Sequence, residues 1–165
     1  DNVAALSLAT DFYSEEFAGS SVPAAEHSTI TTWGKEREAA AMRNVLEMFP
    51  SGPVSCVSDS YDVMRACERY WGTELRSMVE QRDGVLLVRP DSGRLPDIVL
   101  EVLARLAGKF GHTETATGHK LLPACIRVLQ GDGIDARSLS MILQAMQDAG
   151  WAAENLVFGS GGALL

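Results

Sequence analysis

Four short apolar runs in this chain each stop at a charged or glycine-rich corner. The corners are Val54-Ser-Cys-Val-Ser-Asp59, Val85-Leu-Leu-Val-Arg-Pro-Asp91, Ile126-Arg-Val-Leu-Gln-Gly-Asp132 and Leu156-Val-Phe-Gly-Ser-Gly-Gly162. Asp59 and Asp91 are 32 residues apart, Asp91 and Asp132 are 41, and Asp132 and Ser160 are 28. A βαβ unit needs roughly 30 residues or more. Each interval therefore has room for one helix and a parallel return. Parallel strands all point one way, so the corners gather at one edge, where α/β proteins bind ligands and do chemistry. The runs are continuous rather than alternating, which predicts strands covered on both faces. No Gly-x-Gly-x-x-Gly follows an early strand, so a partial (β/α) barrel fits better than a dinucleotide-binding sheet.

The rest of the chain fills in the alternation. Residues 3–13 carry apolar residues at helical spacing. Residues 20–27 read as a short strand and a loop. Ser28 or Thr29 is placed to cap a helix running to about Met48, and Pro50-Ser-Gly-Pro53 breaks it. Asp59 or Ser60 is placed to cap a helix through about Val79, with Gly72 as an interruption. Strand Val85–Val88 precedes a helix from about Leu95 to Lys109, closed by Gly111. The polar residues 112–122 match no pattern. Strand Cys125–Leu129, a helix from about Ala136 to Ala149 and strand Asn155–Phe158 complete a single α/β domain over residues 1–165. Asp1 in place of methionine, and a helix-like start at Gly161-Gly-Ala-Leu-Leu165, read as the ends of a segment of a longer protein.

Composition narrows the function classes. The net charge is −8 with Lys and Arg scattered, which argues against nucleic acid. A phosphate-bearing ligand remains compatible, because backbone N–H groups bind anions within an acidic protein. Cys56, Cys67 and Cys125 form no Cys-x-x-Cys pair and match no metal module, as expected of reduced thiols in a cytoplasmic protein. No run approaches the ~20 apolar residues of a membrane span. No metal-ligating residues are assigned.

The corners carry the chemistry. In Gly159-Ser-Gly-Gly162, glycines between strand and helix admit an anion to backbone N–H groups, although a plain tight turn has the same sequence. Asp132, between Gly131 and Gly133, suits the vicinal hydroxyls of a ribose or, alternatively, a helix cap near Asp135. Arg89-Pro-Asp91 offers a donor fork and an acceptor on one corner; a surface ion pair is the plainer reading. Arg127 lies in a strand that otherwise reads as buried, so an anionic partner is expected beside it. His27 follows the first strand, and Asp59 ends the next. A carboxylate on one ring nitrogen fixes the tautomer and raises the nucleophilicity of the other, which suits a general base or a phosphorylated nucleophile. His112 and His119 receive no role.

Together, Ser21-Val-Pro-Ala-Ala-Glu-His-Ser-Thr29, Val57-Ser-Asp-Ser-Tyr-Asp62, Arg89-Pro-Asp-Ser-Gly93, Gln130-Gly-Asp-Gly133 and Phe158-Gly-Ser-Gly-Gly162 resemble the nicotinamide phosphoribosyltransferase family, in order and across essentially the whole chain. The resemblance implies an irregular α/β barrel of the type II phosphoribosyltransferase kind and a homodimer. It implies formation of nicotinamide mononucleotide and pyrophosphate from nicotinamide and phosphoribosyl pyrophosphate. ATP would phosphorylate a histidine, and Mg²⁺ would accompany the pyrophosphate. By resemblance His27 is that histidine and Asp59 its orienting partner. Asp91, Gly131 and Asp132 would hold ribose hydroxyls, and Gly161 and Gly162 the 5′-phosphate. Arg89 would touch the nicotinamide amide and Asp1 would accept from its NH₂, favouring the amide over the acid. Ser55 and Arg127 match further pocket positions. The family's N-terminal portion, its C-terminal tail and its ring-stacking aromatics have no counterpart within these residues. Two other readings share the scaffold: transfer to nicotinate, and a non-catalytic piece that binds nucleotide or completes a barrel with another chain.

Overall fold

The structure is a computed structural model and describes residues 3–15 and 19–159. Its elements in chain order are α1 (Val3–Tyr13), β1 (Ala24–Ala25), α2 (His27–Thr31), α3 (Glu38–Met48) and β2 (Val54–Val57). They continue with α4 (Val63–Arg65), α5 (Arg76–Gln81), β3 (Leu86–Arg89), α6 (Asp97–Phe110), β4 (Thr113–Glu114) and β5 (Lys120–Leu121). The last are β6 (Ile126–Gln130), α7 (Ala136–Asp148) and β7 (Leu156–Phe158).

Five strands form one parallel sheet in the order β1-β2-β3-β6-β7. Each strand is laid beside the one before it and the direction of growth never reverses. Right-handed crossovers that always step the same way put their helices on one face. This is the winding of a barrel wall, and the sheet stays open.

Register separates the two faces. Val54, Leu86 and Ile126 lie in one row, and Cys56, Val88, Val128 and Leu156 in another. All are buried and share a core with Leu46, Val102, Leu103, Leu106, Ile142 and Met146 from the helices. The alternate row crosses Ser55, Leu87 and Arg127, and Arg89 stands beside Val57. One face is thus apolar and packed on helices, while the other carries a hydroxyl and two guanidinium groups. The expectation of two covered faces holds where Ser55 and Leu87 are 1% and 4% exposed. It fails at the last strand, where Val157 is 40% exposed.

The helix expected from residue 28 to 48 is divided. Glu26, rather than Ser28 or Thr29, is the N-cap of α2, and Gly34 takes φ 79°, a left-handed conformation that ends the helix before α3 begins. The helix expected from Asp59 starts later. Asp62 caps it, its Oδ1 accepting from the Arg65 N–H at 3.0 Å, which releases Asp59 for other work. From Ala66 to Glu74, through Gly72, the turns widen to a π-helix. Within it the fully buried Trp71 donates from Nε1 to Ser58 Oγ at 3.0 Å, and Ser58 Oγ donates to the Cys56 carbonyl at 2.9 Å. The polar segment 112–122 is an antiparallel hairpin of β4 and β5, held by Asn155 in the turn just before the last strand. Among the described residues no helix is long and apolar enough to cross a membrane.

Candidate active site

The carboxyl ends of the sheet carry the candidate residues at a constant offset. His27 stands two positions past β1, Asp59 two past β2, Asp91 two past β3 and Asp132 two past β6. Parallel pairing in near register brings the first three together.

His27 Nε2 lies 3.0 Å from Asp59 Oδ1, and its Nδ1 lies 3.8 Å from Asp91 Oδ2. Asp59 is nearly buried, with 4% of its side chain exposed against 45% for the imidazole. Its second oxygen, Oδ2, accepts from the Asp91 backbone N–H at 2.9 Å and the Ser92 hydroxyl at 2.5 Å. The carboxylate is therefore held at both oxygens. With Asp59 ionised, Nε2 carries the proton of a neutral His27, and Nδ1 presents the lone pair.

Arg89 is held by two carboxylates. Nη1 and Nη2 donate to Glu26 Oε1 and Oε2 at 3.2 and 2.8 Å. Its other edge faces Asp91, with Nε 3.3 Å from Oδ1 and Nη2 3.3 Å from Oδ2. The hydrogen bond from Arg89 holds the Glu26 carboxyl below the usual range, and the same bond raises the pKa of the guanidinium. Glu26 is also the N-cap residue of α2, so this pair anchors the helix that begins at His27.

Arg127 is half-buried, and no carboxylate lies on its Nη1. That atom meets the carbonyls of Pro123, Ile126 and Leu122 at 2.6, 2.7 and 3.0 Å. Burial pulls its pKa down. Backbone oxygens hold this end of the guanidinium, and the Glu154 carboxylate pulls its pKa the other way. Ser55, on the same face, is 1% exposed, and its hydroxyl has no hydrogen-bond partner among the described residues.

At the far corners Gly159 N–H donates to the Gln130 carbonyl at 2.9 Å, and a Cβ added to Gly159 would sit 3.2 Å from Gly131 Cα. The backbones of the two loops touch, which glycine allows. Asp132 is exposed at this corner. It does not cap α7; Asp135 does, its Oδ1 accepting from the Ser138 N–H at 2.7 Å. Asp1, Gly161 and Gly162 lie outside the described residues.

Sequence reading missed Glu26, Ser58, Trp71 and Ser92 as working parts. Glu26 and Ser92 sit inside the motifs themselves. Their partners are 63 and 33 residues away, and only the strand order shows that they meet.

The fold and the edge define an α/β protein with a histidine–carboxylate site at the ends of parallel strands. Comparison with known proteins names the class. The model of the Nicotinate phosphoribosyltransferase (NAPRTase) family matches residues 1–165, and the chain belongs to that family. It is similar to a protein named nicotinamide phosphoribosyltransferase from Xanthomonas campestris pv. campestris (strain 8004), with 48% identity over all of this chain and 36% of the relative. Proteins of the same name from Acinetobacter baylyi and Mycoplasma pneumoniae are 32% and 31% identical, over 98% and 87% of this chain. The chain spans little more than a third of their lengths, 36% and 35%.

Proposed function

We propose that this chain supplies the catalytic edge of a phosphoribosyltransferase of NAD biosynthesis, joining nicotinamide to phosphoribosyl pyrophosphate. The observation that carries the reading is His27 held between Asp59 and Asp91, beside touching glycine corners, in a member of the NAPRTase family.

In the reaction the pyridine nitrogen forms a bond to the anomeric carbon of the ribose as the bond from that carbon to pyrophosphate breaks. Asp91, Gly131 and Asp132 are assigned to the ribose hydroxyls. Gly161 and Gly162, with the close approach of Gly131 and Gly159, are assigned to the 5′-phosphate. Arg89 and Asp1 address the carboxamide, and Ser55 and Arg127 stand along the polar sheet face as further pocket positions.

ATP is the energy-coupling co-substrate in this reading. Nδ1 of His27 attacks the terminal phosphorus as the bond to ADP breaks, and Asp59 stabilises the positive charge left on the ring. No cluster of carboxylate, imidazole or thiol groups among the described residues could hold a metal ion, so Mg²⁺ enters with the pyrophosphate in this reading. When bound with pyrophosphate the ion would neutralise the departing charge. The complete protein is a homodimer of the cytoplasm in this reading.

The family description favours a second base, nicotinate. The relatives' names support nicotinamide. The test is mass-spectrometric detection of nicotinamide mononucleotide and pyrophosphate after incubation of the complete gene product with both substrates. Formation dependent on His27 supports the reading; absence of mononucleotide from either base overturns it.

A further inference from the structure

The state of Arg89 carries an inference about which base this site accepts, and it rests on the phosphoribosyltransferase reading. A guanidinium has five N–H groups arranged in forks. One fork of Arg89, Nη1 with Nη2, is taken by both oxygens of Glu26. The other, Nε with Nη2, faces both oxygens of Asp91. Two N–H groups make no hydrogen bond among the described residues: the second on Nη1, and Nε–H, which faces Asp91 as an ion pair only. A carboxylate ligand pairs best with arginine through two parallel N–H bonds. The two unbonded N–H groups lie on different nitrogens that form no fork together, so a carboxylate would have to displace Glu26 from the terminal fork or Asp91 from the edge. An amide carbonyl needs a single donor and brings no charge.

Electrostatics acts in the same direction. Glu26, Asp59 and Asp91 surround a single guanidinium and one imidazole, so a further negative group meets repulsion. Asp91 is already assigned to the sugar. Glu26 lies at the outer edge, with 61% of its side chain exposed, while the guanidinium it covers is only 13% exposed.

We propose that Glu26 is a specificity-determining residue: by occupying the terminal fork of Arg89 it turns an arginine suited to acids into a single-donor site for a neutral carboxamide. The commitment is written into the fold. Glu26 directly follows the first strand and Arg89 ends the third, so the pair forms across the intervening β2 edge before any ligand arrives.

The test is a competition. The complete gene product is given equal nicotinamide and nicotinate with phosphoribosyl pyrophosphate, and the ratio of acid to amide mononucleotide is read by mass spectrometry. Glu26→Gln removes the charge and loosens the fork, and Glu26→Asp keeps the charge. Both products come from one sample, so the ratio does not depend on how much enzyme is folded. The ratio should move toward the acid by tenfold or more in Glu26→Gln, and less in Glu26→Asp. A Glu26→Gln ratio within twofold of the parent overturns the proposal, as does loss of both products together. A parent that makes neither mononucleotide refutes the phosphoribosyltransferase reading itself, a separate and recognisable failure.

Discussion

Asp59 meets His27 through one oxygen only: Oδ1 lies 3.0 Å from Nε2, while Oδ2 is held by the Ser92 hydroxyl and the Asp91 N–H. The division of labour fixes both the carboxylate and the ring. A carboxylate held at one oxygen alone would rotate about its own bond and sometimes present the wrong edge.

Removal of the Ser92 hydroxyl tests that arrangement. Hydrogen bonds to charged groups contribute about 1.5–3 kcal/mol. Ser92→Ala should lower kcat about tenfold, equivalent to ~1.4 kcal/mol of barrier. The imidazole ¹⁵N shifts should move with it, toward a mixture of tautomers. Unchanged shifts would place Ser92 outside the positioning of His27.

The glycine corners make a different demand. A methyl group at Gly159 would crowd Gly131 Cα at 3.2 Å and force the two loops apart. Gly159→Ala should raise KM for phosphoribosyl pyrophosphate more than it lowers kcat, because the change bears on binding rather than on His27. Steady-state kinetics separates the two effects.

Glu38 carries a stability prediction. It is 1% exposed, and neither carboxylate oxygen has a hydrogen-bond partner of good geometry among the described residues. Burial raises its pKa above 4.5, with Arg65 and the Tyr70 hydroxyl pulling the other way. The native state therefore holds the proton more tightly than the unfolded chain, and stability falls as pH rises from 4.5 through the native value. Glu38→Gln should raise Tm at pH 7 by about 2–4 °C, or roughly 1 kcal/mol at this size. The gain should vanish near pH 4, as thermal melts at the two pH values would show.

The thiols should rank by burial. Cys56 and Cys67 are buried, and burial pushes both up to about 12, so neither is a ready nucleophile at neutral pH. Cys125 is only partly buried. A thiol reagent at pH 8 should modify Cys125 first and reach the other two only after denaturant, as peptide mapping would show.

Much of this was legible in the sequence, for identifiable reasons. Parallel strands give continuous apolar runs, so β2, β3, β6 and β7 were placed within a residue or so, and corners two positions past each strand named His27, Asp59, Asp91 and Asp132. Helix starts were less legible. Glu26 and Asp62 act as caps where Ser28, Thr29, Asp59 and Ser60 offered equally good side chains, and only tertiary pairing committed Asp59 elsewhere. The hairpin at 113–121 lacks apolar alternation and is held by Asn155 from the far end of the chain. The three carbonyls on Arg127 Nη1 come from its own loop and strand, and the sequence does not show that they converge. The Glu26–Arg89 pair required knowing that three strands lie side by side.

In the proposed reaction the commitment of Nε2 to Asp59 leaves Nδ1 of His27 as the reacting atom, and one measurement addresses this directly. The complete gene product is incubated with ATP and Mg²⁺, and the phosphoramidate is located by ³¹P and ¹⁵N correlation in histidine-labelled protein. Phosphorus bonded to Nδ1, and absent in His27→Ala, is the predicted result. A signal on Nε2, or one that persists in His27→Ala, would contradict it.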